Sequence, residues 1–204
     1  MGVGKPMSKL RFGIKRLFDI VGGSCGLVIL FPLFLIIAIS IRLDSRGPVF
    51  FYQKRLGRRG IPFSIIKFRT MIVNAENLGE GLRVSTKDDP RITRVGKVLR
   101  ATSLDELPQL INVVKGDMSL VGPRPPATYH PYDGYINYPE WAKKRFEMRP
   151  GITGLAQVTV RNSASWDERI RIDLDYVEHF GLRIDVKILV RTVQRVLTRE
   201  SIYT

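Results

Sequence analysis

The sequence predicts a helix-rich α/β (α+β) fold made of an N-terminal membrane helix and one small soluble domain with a short β-hairpin. Three observations carry this. Residues 20–41 hold no charge, residues 48–68 read as two short strands around a glycine turn, and the later segments repeat apolar residues at helical spacing. With 204 residues the chain fits one domain plus a membrane segment, and its 44% hydrophobic and 25% charged content argues against a disordered, collagenous or low-complexity protein.

The apolar run lies between Asp19 and Arg42. As a straight helix it would reach roughly 33 Å, enough to cross a bilayer core. It is too long for the core of a signal peptide, and no small-residue cleavage site follows it. Pro32 near its middle predicts a kink or break. Both flanks are basic: Lys5, Lys9, Arg11, Lys15 and Arg16 precede the run, and Arg42, Arg46, Lys54, Arg55, Arg58 and Arg59 follow it. Both ends are therefore drawn to the cytoplasmic side, which a re-entrant helix satisfies; one kinked spanning helix stays open. The expected organisation is a tail over 1–14, a re-entrant membrane helix over 15–42 and a cytoplasmic catalytic domain over 43–204.

Beyond the run, Pro48 to Tyr52 and Pro62 to Phe68 predict strands joined through the turn at Gly57–Gly60, with Arg58 and Arg59 at its tip. Residues 74–90 are polar and predict a surface loop with at most one helical turn. Helices are expected around Val95–Leu99, over Ser103–Val114 with Gly116 as a stop, over Tyr138–Phe146, over Ala164–Phe180 and over Asp185–Thr198. The last carries Lys187, Arg191, Arg195 and Arg199 opposite its apolar face, which suits either a membrane surface or a solvated helix. Gly122–Pro126 predicts a rigid loop.

Thirty-three Lys plus Arg against nineteen Asp plus Glu leaves +14, so anionic partners are expected: nucleic acid, lipid headgroups or phosphorylated substrates. One cysteine, Cys25, and two distant histidines, His130 and His179, exclude an intramolecular disulfide and give no zinc-like spacing. Against this background the pair Asp105-Glu106 stands among Arg91, Arg94, Lys97, Arg100, Lys115 and Arg124. Ser103 with Glu106 forms a capping-box pattern, and acids in a first helical turn are favoured by the dipole. A carboxylate held there among arginines also stays ionised and suits Mg²⁺ binding or attack on phosphorus. Gly122-Pro123-Arg124-Pro125-Pro126 fixes an arginine between prolines, and Arg149 to Gln157 is a glycine-punctuated loop suited to offering backbone donors to an oxyanion. Neither a P-loop nor GxGxxG is present.

Taken in order, Lys67-Phe68-Arg69-Thr70-Met71, Arg91 to Lys97, Arg100 with Ser103 to Leu110, Asn112 to Pro125, Arg149 to Gln157, Arg161-Asn162, Trp166 and Asp173 closely resemble the bacterial sugar transferase family, the monotopic polyprenol-phosphate phosphoglycosyl transferases. The resemblance runs from about Lys15 to the C-terminus. It implies transfer of a sugar 1-phosphate from a UDP-sugar to polyprenol (undecaprenyl) phosphate with release of UMP, on the cytoplasmic face of a bacterial inner membrane, as the first membrane step of glycoconjugate synthesis. It further implies Asp105 as nucleophile and Mg²⁺ ligand with Glu106 as its partner, and Arg100 and Arg124 as nucleotide and diphosphate contacts. Arg145, Arg149, Thr153 and Gln157 are implied for phosphate binding, and Lys67 and Asp173 for substrate contacts.

The implied partners are UDP-sugar, polyprenol phosphate and membrane lipid, with no nucleic acid; a homo-oligomer is left open. Direct transfer without a covalent step is the rival mechanism, and a non-catalytic basic membrane-anchored module the rival of another class. Larger members carry further segments, so the chain reads as the minimal catalytic form. Phe31 stands before Pro32 where members usually have serine, whose hydroxyl could satisfy a carbonyl freed at the break. Residues 1–6 resemble neither the family nor a targeting signal, with Met7 an expected native start.

Overall fold

A computed structural model describes residues 9–78, 89–160 and 164–198. The expectations for residues 1–6 and for Arg161-Asn162, and most of those for the loop over 74–90, lie outside these residues. The described residues begin with one helix, α1 (Lys9–Asp44), which is long and apolar enough to cross a membrane and buries little of its apolar surface in the protein. The expected break at Pro32 does not appear: α1 continues through it. A proline removes only one backbone donor. Beyond it, packing holds the second half helical, with Leu33, Phe34, Ile37 and Ile41 set against Phe68 and Leu99.

Both halves of α1 are tied to the same soluble body. Near its start, Lys15 pairs with buried Asp185 at 2.7 Å, and the Tyr176 hydroxyl donates to the same carboxylate at 2.6 Å. One turn later Asp19 accepts from Ser119 Oγ at 2.9 Å and from the Leu120 amide at 3.0 Å. At the far end, Asp44 accepts from the Val95 amide. Between these anchors α1 packs along α3 (Gln109–Lys115). A Cβ on Gly23 would lie 3.2 Å from Val113, and one on Gly26 3.2 Å from Leu110, so glycine permits the close approach.

The expected hairpin is present, with a longer first strand: β1 (Phe50–Leu56) pairs antiparallel with β2 (Pro62–Phe68), placing Phe51 opposite Lys67 and Arg55 opposite Phe63. Next comes α2 (Arg94–Thr102), N-capped by Thr93, whose side chain accepts from the Gly96 amide. Gly96 is required there because a Cβ would lie 2.0 Å from the Thr70 carbonyl oxygen.

A second sheet went unpredicted: β3 (Ser119–Val121) runs parallel to β4 (Gly151–Thr153). The remaining helices are α4 (Glu140–Lys143), α5 (Leu155–Thr159) and α6 (Trp166–His179), and the described chain closes on α7 (Leu182–Thr198), which packs on this sheet together with α1 and α3. The helix expected from Tyr138 starts two residues later because Pro139 stands in extended conformation before it. The main core joins Val121, Met148, Val158, Tyr176, Val177, Phe180 and Ile188, with Phe12 of α1 packed against it.

Candidate active site

The Asp105-Glu106 pair does not open a helix as expected. Ser103 is the left-handed C-cap of α2, at φ 57°, and its side chain makes no capping bond. Leu104–Glu106 forms a single 3₁₀ turn, and α3 begins only at Gln109, after Pro108. The two acids thus sit in a tight connection between α2 and α3. Two elements fix that connection. Asn112 of α3 imitates a neighbouring strand, accepting from the Ile66 amide at 3.0 Å and donating to the Ser64 carbonyl at 2.8 Å, which locks α3 to β2. On the other side, α2 is held by the Thr93 amide on the Thr70 carbonyl and by Arg100 Nε on Thr70 Oγ1 at 2.9 Å.

Glu106 takes the cations. Lys67 Nζ donates to Glu106 Oε1 at 2.6 Å, and Arg124 lies 4.0 Å from the same oxygen. Burial works against the Glu106 charge, yet Lys67, Arg124 and Arg55 outweigh it and hold the carboxyl at about 2. Asp105 moves the opposite way. Burial raises it to about 6, the Glu106 charge adds to the rise, and Lys67 and Arg100 only partly oppose them. Glu106 is therefore the firmly held anion; Asp105 is a part-buried carboxyl, still mostly ionised at neutral pH, that makes no ion pair among the described residues. Two adjacent carboxyls driven apart in this way can take two roles, one structural and one reactive.

Arg55, which the sequence shows only as part of the basic flank after the apolar run, belongs to this cluster. Its guanidinium binds Gln53 Oε1 at 2.6 and 3.0 Å and the Pro125 carbonyl at 3.3 Å; burial and then Arg124 push it down to about 10. The two-residue strand period that places Gln53 and Arg55 on one face was the available signal.

The other expected residues lie elsewhere. Arg145 is buried and ion-paired with Asp173 at 2.6 Å, and it donates to the Arg124 carbonyl at 2.9 Å, so it braces the Gly-Pro-Arg-Pro loop from behind. Burial raises Asp173 to about 6 in spite of Arg145. Arg149 donates to the Gly116 carbonyl at 2.8 Å, at the far end of α3 from Asp105. Thr153 shares a hydrogen bond with Thr192 of α7, and Gln157 donates to the Ile152 carbonyl.

The glycine loop is not an open anion cradle. The Gly151 amide donates to the Pro123 carbonyl at 3.0 Å, and the Gly122 amide to the Thr153 carbonyl at 2.9 Å. Cβ atoms on Gly122, Gly151 or Gly154 would meet facing backbone at 2.1 to 2.5 Å, so these glycines serve close packing of β4 on β3. Lys67, Arg100, Arg124 and Arg55 therefore surround the acidic pair, while Arg145 and Asp173 support it indirectly.

Residues 10–199 match the model of a family described as bacterial sugar transferase. Among curated relatives, the chain is 44% identical to the UDP-glucose:undecaprenyl-phosphate glucose-1-phosphate transferase of Caulobacter vibrioides over 98% of its length and 76% of the relative's. It is 42% identical to the galactosyl transferase CpsE of Streptococcus agalactiae, covering 90% of this chain but 42% of that protein. It is also 42% identical to the uncharacterized sugar transferase EpsL of Bacillus subtilis, covering 93% of this chain and 90% of that one.

Proposed function

Since the chain belongs to the bacterial sugar transferase family, we propose that it transfers a sugar 1-phosphate from a UDP-sugar to polyprenol phosphate through a covalent intermediate on Asp105. The observation that carries this reading is the division of the acidic pair, in which Glu106 absorbs Lys67 and leaves the Asp105 carboxylate without an ion-pair partner inside a cationic cluster. An Asp105 oxygen attacks the phosphorus bonded to the sugar, the bond from that phosphorus to the bridging oxygen breaks, and UMP leaves. An oxygen of polyprenol phosphate then attacks the aspartyl phosphosugar, releasing the Asp105 carboxylate and forming the lipid diphosphate sugar. Lys67, Arg100 and Arg124 offset the charge of the diphosphate and of the transferring oxygens.

Mg²⁺ fits the donor set. No group of three carboxylate, histidine or cysteine side chains that could hold a metal exists among the described residues, so a protein-only cage is not formed. One carboxylate completed by substrate phosphate oxygens and water is a mode that suits Mg²⁺, and Asp105 is the residue that would hold it. Bound there, it would neutralise phosphate charge.

The test is purified protein with undecaprenyl phosphate and a panel of UDP-sugars, read as UMP release. Turnover with at least one sugar and its loss in excess EDTA are expected. Without the lipid acceptor, mass spectrometry should find a sugar-phosphate adduct on Asp105. UMP release with lipid present, but neither adduct nor UMP burst in its absence, would overturn the covalent step in favour of direct transfer.

The same reading keeps both ends of α1 on the cytoplasmic side of the bacterial inner membrane, with its exposed apolar middle in the bilayer and the catalytic domain in the cytoplasm. It is supported by the anchoring of both ends of α1, through Lys15 and Asp19 and through Asp44, to one polar domain. Val28, Ile29, Phe31, Ile36 and Ile39 between them are exposed. Cysteines introduced at positions 9 and 46 in a Cys25→Ser background should be labelled from the same side of the membrane. Labelling from opposite sides would establish a spanning helix instead.

A further inference from the structure

We propose that Arg16, Arg58 and Arg149 form a site for the negatively charged headgroup of an anionic phospholipid, separate from the Asp105 centre. Arg16 of α1 donates to the Val113 and Val114 carbonyls at 2.6 and 2.9 Å. Its guanidinium also lies against Gly116, whose carbonyl receives Arg149. Arg58 donates to the main-chain oxygen of Glu147 at 2.9 Å and stands over the Phe12 ring at 5.5 Å. Every hydrogen-bond partner of the three is thus a neutral carbonyl. None of them pairs with a carboxylate among the described residues.

The cations also act on one another. Arg149 is lowered by burial and then by Arg16 and Arg58; the carboxylate acting on it is Asp19, whose Oδ1 already accepts from Ser119 and Leu120. Like charges gathered in partial burial without a counter-ion are stabilised by an external anion, and guanidinium forks match phosphate oxygens in particular.

Depth in the membrane identifies the source of that anion. Arg16 stands one turn, roughly 6 Å, before Ile20, where the charge-free run begins. The headgroup layer occupies about that distance outside the hydrocarbon core. At the same level α1 exposes Leu17 and Val21, an apolar surface for the acyl chains. The site cannot hold the reacting phosphate. Asp105 lies before the start of α3 and Gly116 just beyond its end, eleven residues along a near-helical path, or roughly 15 Å.

The experiment uses the full chain in neutral detergent without nucleotide sugar, with dioleoyl phosphatidylglycerol or dioleoyl phosphatidylcholine added and retained lipid counted by native mass spectrometry. The wild type should retain phosphatidylglycerol preferentially. Arg58→Gln should weaken that retention about 5-fold, as expected for one arginine at a headgroup, and Arg59→Gln at the neighbouring turn should not. Arg149→Lys keeps the charge but loses the fork, so a folded variant with reduced retention also supports the site. Equal retention of the two lipids, full preference in both Arg58→Gln and Arg149→Lys, or equally tight binding of glycerol phosphate lacking acyl chains would overturn it.

Discussion

Asp105→Asn is expected to lose at least roughly 1,000-fold in UMP release while becoming more stable than the wild type at neutral pH. The first effect follows from removing the attacking oxygen. The second follows from its environment, because burial raises the Asp105 carboxyl to about 6 from an ordinary 3.8. Between those values the folded protein holds a proton that the unfolded chain has released, so this group's contribution to stability falls as pH rises and is fully unfavourable above about 6. An uncharged asparagine escapes that cost, worth about 1–2 kcal/mol once the partial solvent exposure of the carboxyl is allowed for. For a chain of this size that is a Tm increase of about 3–6 °C. Thermal unfolding in EDTA at pH 5 to 8 checks it: the advantage of Asn should grow with pH and level off above 6. A variant less stable than the wild type at pH 8 would mean that Asp105 is a stabilised ion and that the acidic pair is not divided as described. Glu106 has the opposite linkage. Its lowered carboxyl contributes stability above its ordinary 4.5, lost as pH falls toward about 2.

The sequence was most legible where one period ran uninterrupted. The hairpin, α2, α6 and α7 all lie close to their expected places because alternating or helical apolar spacing is a local property. The start of α3 was misplaced because Ser103-x-x-Glu106 satisfies a capping pattern that a left-handed Ser103, closing the preceding helix, overrides. The β3–β4 pair is not legible in the sequence because its three-residue strands are about 30 residues apart and too short to show a period. The acidic pair itself was found from charge contrast. The division of labour inside it is not legible, since sequence counts the cations but cannot say that Lys67 and Arg124 go to Glu106. Arg145 and Asp173, expected against substrate, instead reach each other across 28 residues.

That last pair carries the other large effect. Asp173→Ala leaves the Arg145 guanidinium, 1% exposed, without its counter-ion, a change expected to cost about 3–5 kcal/mol. The Tm should fall by at least about 6 °C. Activity should fall as well, because the same NH2 group that binds Asp173 also donates to the Arg124 carbonyl and so fixes the loop that aims Arg124 at Glu106. Stability and positioning can be separated by replacing both partners. Arg145→Met with Asp173→Leu fills the site with apolar groups of similar bulk, which commonly recovers stability lost when one partner of a buried pair is removed. Nothing in that double variant holds the Arg124 carbonyl, so its Tm should return toward the wild type while kcat stays depressed. Measuring Tm beside kcat and KM for the single and double variants decides the matter. If the double variant regained wild-type kcat, the pair would only stabilise the fold. If kcat stays low in a well-folded protein, Arg145 is a positioning residue, acting on the acidic pair through the main chain of Arg124.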